Sequence, residues 1–322
     1  MTLGHSMFNG FANVWTPLVE ARRIPRTPLR MDLAGEVIVL FRGEGDAIGA
    51  LIDRCPHRGV ALSLGKVGAD GCLECPFHGW RFAVDGANRH APLNPDAKRD
   101  LLGAQALPVR VLGDMVWVYA GVGAQPDHEP TAPEGLTAPG IARTYVTRDW
   151  DAHWTRAMES MLDSPHLPFV HRKTIGRPIL RRMTPDSSMD IGWEDTPWGG
   201  RSRVSMAGRD GGGVLEFFRP NIMALTIPIP KRHFRIHALV VPAGANRTRL
   251  TVVGSRDFQR SGLFNGMFRA STGRIADEDK AVVESTAKGE CPPLGVEPSV
   301  KTDRATLQFR KYYHDVLHGS AS

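Results

Sequence analysis

The sequence predicts an α+β protein in two domains, a small all-β domain followed by a larger one made of an antiparallel sheet plus helices. Three observations carry this. Residues 1–122 hold only short β-prone runs punctuated by glycine and proline. Residues 123–140 contain Gly-Ala-Gln-Pro, Glu-Pro-Thr-Ala-Pro-Glu-Gly and Ala-Pro-Gly, a composition that sustains neither helix nor strand and reads as a linker. Residues 141–322 carry closely spaced β-branched runs, then two long stretches with apolar residues at intervals of three and four.

In order, the first domain reads as strands at Trp15 to Val19, Glu36 to Arg42, Ala47 to Asp53, Trp80 to Phe82, Val109 to Leu112 and Met115 to Tyr119, with Gly43 to Asp46 as a hairpin turn. The second opens with a strand from Arg143 to Trp150 and a helical stretch from Ala152 to Leu162. Strands follow at Val214 to Arg219, Ile222 to Ile227, Phe234 to Val241 and Thr248 to Gly254. Their closeness in sequence implies antiparallel pairing. Helices from about Phe268 to Lys288 and from about Asp303 to Leu317 complete the chain.

The 322 residues suffice for two cores, and 42 % apolar with 23 % charged residues excludes wholesale disorder. No apolar run approaches the ~20 residues of a membrane-spanning helix. The N-terminus shows no secretory pattern, and four cysteines fit a reducing compartment, so a cytoplasmic protein is expected. The net charge of +6 is modest. Basic clusters at Arg172-Lys173, Arg177, Arg181-Arg182 and Lys231 to Arg235 are a solvated face, or a dock for an acidic electron-donor protein or an anionic substrate. No continuous basic stripe or known module points to nucleic acid.

Chemistry concentrates in two places. Cys55-Pro-His57 and Cys75-Pro-Phe-His78, with 17 residues between, put one thiol and one imidazole on each of two short loops that Pro56 and Pro76 stiffen. Two cysteines and two histidines suit a [2Fe–2S] cluster of the Rieske type, in which imidazoles replace two thiolates on one iron. The same four suit tetrahedral zinc, and Cys72-x-x-Cys75 is itself a metal or redox spacing. The symmetric pairs leave Cys72 as a small apolar residue and Cys291 as a free thiol.

The text around these ligands, Cys55-Pro-His-Arg-Gly59 and Cys75-Pro-Phe-His-Gly-Trp-Arg-Phe82, resembles the Rieske non-haem iron oxygenases. A second stretch, Glu159-x3-Asp163-x2-His166-x4-His171, resembles the mononuclear iron motif of that family. Two imidazoles and one carboxylate on one face of Fe(II) leave positions open for O₂ and substrate. Residues five apart on a regular helix diverge by about 140°, so His166 and His171 require an irregular backbone, which Pro165 and Pro168 favour. The third ligand must come from Asp277-Glu278-Asp279. Asp279 shares its helical face with Ile275, Ala276, Val282 and Val283, an inward face, whereas Asp277 and Glu278 read as solvated.

The resemblance implies the rest. The second domain would be a helix-grip catalytic domain, and Asp163 would be the carboxylate that carries electrons between subunits of a head-to-tail homotrimer, bonded to His78 of the next chain. No G-x-G-x-x-G follows a strand, so electrons are expected from a separate NAD(P)H-dependent reductase or ferredoxin. The chain's size is similar to that of the monooxygenases that hydroxylate or demethylate one small substrate with O₂. Ring dihydroxylation is the rival within the family. Outside it stands an electron carrier fused to a ligand-binding domain with no working mononuclear iron. Glu159 has no role by this reading. Substrate-pocket residues are expected on the strands between Val214 and Gly254 and on the loop from Ser261 to Phe268, and their polarity names no substrate.

Overall fold

The computed structural model describes residues 7–206 and 209–318. Met1 to Ser6, read above for a leader, and residues 319–322 of the second domain lie outside them. The chain divides into two compact units between Pro130 and Thr131.

The first unit carries three small antiparallel sheets. One pairs β1 (Trp15–Glu20) with β10 (Met115–Tyr119) and β9 (Val109–Leu112). The second runs β2 (Leu29–Leu33), β3 (Glu36–Arg42), β4 (Ile48–Ile52), and the third β5 (Lys66–Val67), β6 (Leu73–Glu74), β7 (Arg81–Phe82), β8 (Asn88–His90). The expected strands are present. Those absent from the sequence reading, β2, β5, β6 and β8, are two to five residues long and too polar or too short to show a period of two. Val39, Phe41, Leu51, Leu62, Leu73 and Phe82 form one buried cluster beneath the two cysteine loops. That cluster gives the loops a rigid floor.

The second unit is a seven-stranded antiparallel sheet in the order β11 (Ala142–Trp150), β17 (Arg247–Arg256), β16 (Phe234–Gly244), β15 (Ile222–Thr226), β14 (Arg209–Phe218), β13 (Gly199–Met206), β12 (Met189–Thr196). Its register aligns apolar side chains in rows. Leu215, Leu225 and Ile236 pair across one row, and Phe217, Met223, Ala238, Val252 and Val146 across the next. The edge pair β12–β13, in which half of β12 is exposed and β13 shows no apolar alternation, is missing from the sequence reading for that reason.

Helices cover the apolar face. Within the expected linker, α1 (Glu134–Thr137) makes one turn that buries Gly135 and Leu136, so the segment is not structureless. His153 caps α2 (Trp154–Leu162) by accepting from the Thr155 amide. Single turns α3 (Leu167–Val170) and α4 (Arg177–Leu180) follow. The long helix α5 (Gly262–Val283) begins six residues earlier than its periodicity suggests, at the Ser261 cap, so residues 262–268 are helix and not loop. Finally α6 (Arg304–Tyr312) continues into a π-helical turn to His318. Trp154 meets Phe309 and Tyr313 edge-on with centroids 5.8 and 5.5 Å apart, which docks α6 on α2.

Candidate metal centres

The two cysteine loops share one backbone plan. In each, the cysteine amide donates to the carbonyl five residues on, Cys55 to Val60 and Cys75 to Trp80, both at 2.8 Å, and the glycine four residues on donates back to the cysteine carbonyl. Those glycines, Gly59 and Gly79, have φ of +73° and +68°, a conformation in which a side chain is strained. The sequence reading named the prolines but not the glycines that close the loops.

What the loops bring together sorts by chemistry. Cys55 and Cys75 are buried and hydrogen-bonded to one another, while the His57 and His78 rings lie 4.6 Å apart. Thiol beside thiol and imidazole beside imidazole is the division that a cluster with two cysteines on one iron and two histidines on the other requires. A single tetrahedral ion would instead draw all four to one point. Burial pushes the Cys55 thiol up to about 11, against the amides of His57 and Arg58 that face its sulfur, so a cation is needed to hold it as thiolate. His57 Nδ1 is buried without a hydrogen-bond partner, and Trp80 stacks on the ring at 4.6 Å and 2°. The residues fit the cluster. Cys72 is buried outside this arrangement, its thiol raised by burial, and Cys291 is also free and buried.

The second constellation forms where α2 ends. Asp163 leaves the helix in an extended conformation, and its Oδ2 accepts from the His166 amide at 3.0 Å and lies 3.2 Å from His166 Nδ1. One turn of helix then separates His166 from His171, which sit just outside its two ends. The backbone is thus helical between them and irregular at His171, where φ and ψ are −94° and 28°.

Asp279 comes in from α5. Its carboxylate Oδ1 stands 3.1 Å from His171 Nε2 and 3.5 Å from His166 Nε2, and the two Nε2 atoms are 3.3 Å apart. Among the described residues this trio is the one group of three or more metal-ligating side chains gathered within 4.8 Å. Right-angled bonds of ~2.1 Å to one ion place donors ~3 Å apart, close to these separations. Asp279 Oδ1 is buried and has no partner of hydrogen-bond geometry. A buried carboxylate oxygen with no donor calls for a cation, and the donor set suits ferrous iron.

Glu278 corrects the sequence reading. It is no solvated residue: its Oε2 accepts from His171 Nδ1 at 2.9 Å and from the Thr174 hydroxyl at 2.6 Å. Burial lowers the pKa of His171, but Asp279 and then Glu278 outweigh it and the net shift is upward. Asp277 faces outward and pairs with Arg148 at 2.7 and 3.2 Å. Among the residues that the sequence placed on the inward face, Val282 is half exposed; the buried stripe is Gly273, Ala276, Asp279 and Val283.

Glu159 also has a place. Its carboxylate is buried and bonded to Arg310 Nε and, at 3.2 Å, to Arg156 Nη1, and both arginines reach Glu297. Burial keeps Glu159 above the usual carboxylate range in spite of the two guanidinium groups, whereas Arg156, ahead of Arg310, holds the more exposed Glu297 down to about 2. The network locks α6 to the helix that ends in Asp163.

The trio opens on a cavity between the sheet and α5, walled by Leu215, Met223, Leu225, Ile236, Leu250 and Val252. The strands supply this lining as expected. From α5 the contributors are Thr272, Ile275 and Ala276, not residues 261–268.

Residues 14–121 match the Rieske [2Fe–2S] domain family, and residues 150–318 match the vanillate O-demethylase oxygenase C-terminal domain, more than half of the chain. The chain belongs to the Rieske oxygenase family. Its fold, α+β with a Rieske domain and a large antiparallel sheet, is that of solved members: dicamba monooxygenase bound to dicamba superposes with a TM-score of 0.81 at 19% identity, over 97% of this chain and 98% of that one. Chlorophyllide a oxygenase of Chlamydomonas reinhardtii is 34% identical over 172 residues, 52% of this chain and 26% of that protein. The 4β-methylsterol monooxygenase of Methylococcus capsulatus is 30% identical over 217 residues, 62% of this chain and 56% of that protein. The chain spans about a quarter to three-fifths of the length of the curated relatives it matches. This Rieske oxygenase carries a [2Fe–2S] domain and a His/Asp site suited to mononuclear iron. Among its described residues no helix is long and apolar enough to cross a membrane.

Proposed function

We propose that the protein is the terminal oxygenase component of a Rieske non-haem iron system, using O₂ and electrons from a separate reductase or ferredoxin to hydroxylate or demethylate a small organic substrate. The observation that carries this reading is the His166, His171 and Asp279 trio opening onto an apolar cavity, in a chain that also holds a Rieske domain. Cys55, His57, Cys75 and His78 would hold the cluster, and the trio the single iron. When bound, these groups supply one-electron transfer and O₂ activation at open coordination positions.

The chain's own residues do the rest. Asp163 and Glu278 each take the Nδ1 side of one histidine, which leaves both Nε2 lone pairs facing the common centre. Ile175, Leu215 and Leu225 line the approach and keep water from the reacting carbon. Asp163, partly exposed beside His166, would meet an imidazole of a neighbouring subunit in a head-to-tail homotrimer. Arg172, Lys173, Arg177, Arg181 and Arg182 are exposed just beyond His171 and suit an acidic electron donor. Buried free thiols fit a reducing compartment such as the cytoplasm.

Metal analysis with a surrogate reductase tests this. Intact protein should hold about three irons per chain, two in the cluster and one mononuclear. Asp279→Ala should lose the mononuclear iron alone. Asp163→Ala should keep the cluster absorption and lose turnover; unchanged turnover would remove Asp163 from the electron route.

A further inference from the structure

The cavity beside the trio is unusual in what it lacks. Among the described residues lining it there is no lysine, no arginine and no aromatic ring other than the two histidines. Its side-chain polar groups, apart from Asp163 and the trio, are the hydroxyls of Ser160, Ser164 and Thr272. The register explains the absence of cations. Leu225 and Ile236 face the cavity, whereas Arg235, next to Ile236, is turned to the opposite face of the sheet, where it and Arg201 approach Glu216 at 3.9 and 3.0 Å. Arg156 and Arg310 line an adjoining cavity that shares Ser160, Asp163, His166 and Asp279, but both are paired with Glu159 and Glu297.

An anionic substrate would find nothing to replace its water. A carboxylate moved into apolar surroundings needs a paired cation or several donors. The metal does not supply the deficit: a divalent ion in the trio is already outweighed by the carboxylates of Asp279, Asp163 and Glu278, all within hydrogen-bond or ion-pair distance of the two imidazoles. A planar heterocycle would find no aromatic side chain to stack on. Branched aliphatic walls instead reward dispersion contact and removal of apolar area from water.

We propose that this oxygenase acts on an uncharged, predominantly hydrocarbon substrate bearing no more than neutral oxygen functions, and that it rejects carboxylates. The inference rests on the reading of the same cavity as the substrate site. The hydroxyls of Ser160, Ser164 and Thr272 are the donors such a neutral oxygen would meet, while the alkyl body would lie against Leu215, Met223 and Leu250.

The test uses a matched pair, 4-methoxytoluene and 4-methoxybenzoate, which differ by a methyl group against a carboxylate. Calorimetric titration of the iron-loaded, anaerobic protein should show the neutral probe binding at least ~100-fold more tightly, about 2.8 kcal/mol. Leu225→Arg, which puts a guanidinium in the wall, should narrow that gap at least ~10-fold by favouring the acid. Ile236→Lys, at a half-buried position, serves if the first variant does not fold. Equal or tighter binding of the acid by the unaltered protein overturns the proposal, as does failure of both probes below ~1 mM, the upper end of ordinary KM values. Iron content and cluster absorption test the family reading separately, whichever probe binds.

Discussion

Removing the Glu278 carboxylate should weaken iron binding although Glu278 is not one of the trio. Its Oε2 fixes His171 through Nδ1 at 2.9 Å, and it is itself held by the Thr174 hydroxyl at 2.6 Å, so the imidazole is locked with Nε2 toward Asp279. In Glu278→Ala the ring is free to rotate and to adopt the other tautomer, and the loss of such a supporting acceptor typically costs about 10- to 100-fold in metal affinity, or roughly 1.4–2.8 kcal/mol. Glu278→Gln retains an oxygen that can accept from Nδ1 and should lose less. Asp277→Ala, one residue away but paired with Arg148 outside the site, should lose nothing. The assay is competition for ferrous ion against a chelator of known affinity, read by metal analysis, with the cluster absorption as an internal standard. Glu278→Ala affinity within about twofold of the unaltered protein, or an equal loss in Asp277→Ala, would refute the assignment of Glu278 as the support of His171.

Two further outcomes follow from buried charge. His237 and His153 are held neutral by burial, with pKa values lowered to about 3 and about 4 from 6.5. The unfolded chain therefore binds protons that the folded one does not, so their stabilisation is complete above pH 6.5 and is lost as pH falls from there toward 4. Each histidine contributes about 1.4 kcal/mol per pH unit in that window. Denaturant unfolding between pH 6.5 and 5 should thus show the unaltered protein losing about 2 kcal/mol more than His237→Asn, and parallel losses would show that His237 is not held neutral. Arg310→Met leaves the Glu159 carboxylate buried with Arg156 alone and should destabilise by about 3–5 kcal/mol. Adding Glu159→Met should restore much of that; a double variant no more stable than the single would mean that the pair is not the source of the loss.

Much of the candidate site was legible because its candidate ligands arrive in short local motifs. Each cysteine loop closes within five residues, so the spacing of Cys55, His57, Cys75 and His78 carries most of their geometry. Asp163, His166 and His171 likewise share nine residues of chain. Asp279 could be picked out from helical phase because a helix buries one stripe, and the stripe of Gly273, Ala276 and Val283 includes it. Glu278 could not, since it lies about 100° around the helix from Asp279, and which of its neighbours also turns inward depends on what packs against that flank. Here His171 and Thr174 do. Strands β12 and β13 escaped because an edge hairpin exposed on one side needs no apolar alternation.

From the sequence alone come the two-domain α+β order, the ligand motifs and the family they resemble, all set by covalent spacing and by periodicities of two and 3.6 residues. The tertiary structure decided what spacing cannot encode: that thiol meets thiol and imidazole meets imidazole between two loops, that Glu278 and Glu159 are partnered inside, and that Arg201 and Arg235 lie on the face of the sheet away from the cavity. Those outcomes depend on strand register and helix placement between residues more than a hundred positions apart, as with His171 and Glu278, where a shift of one residue reverses which side chain is buried.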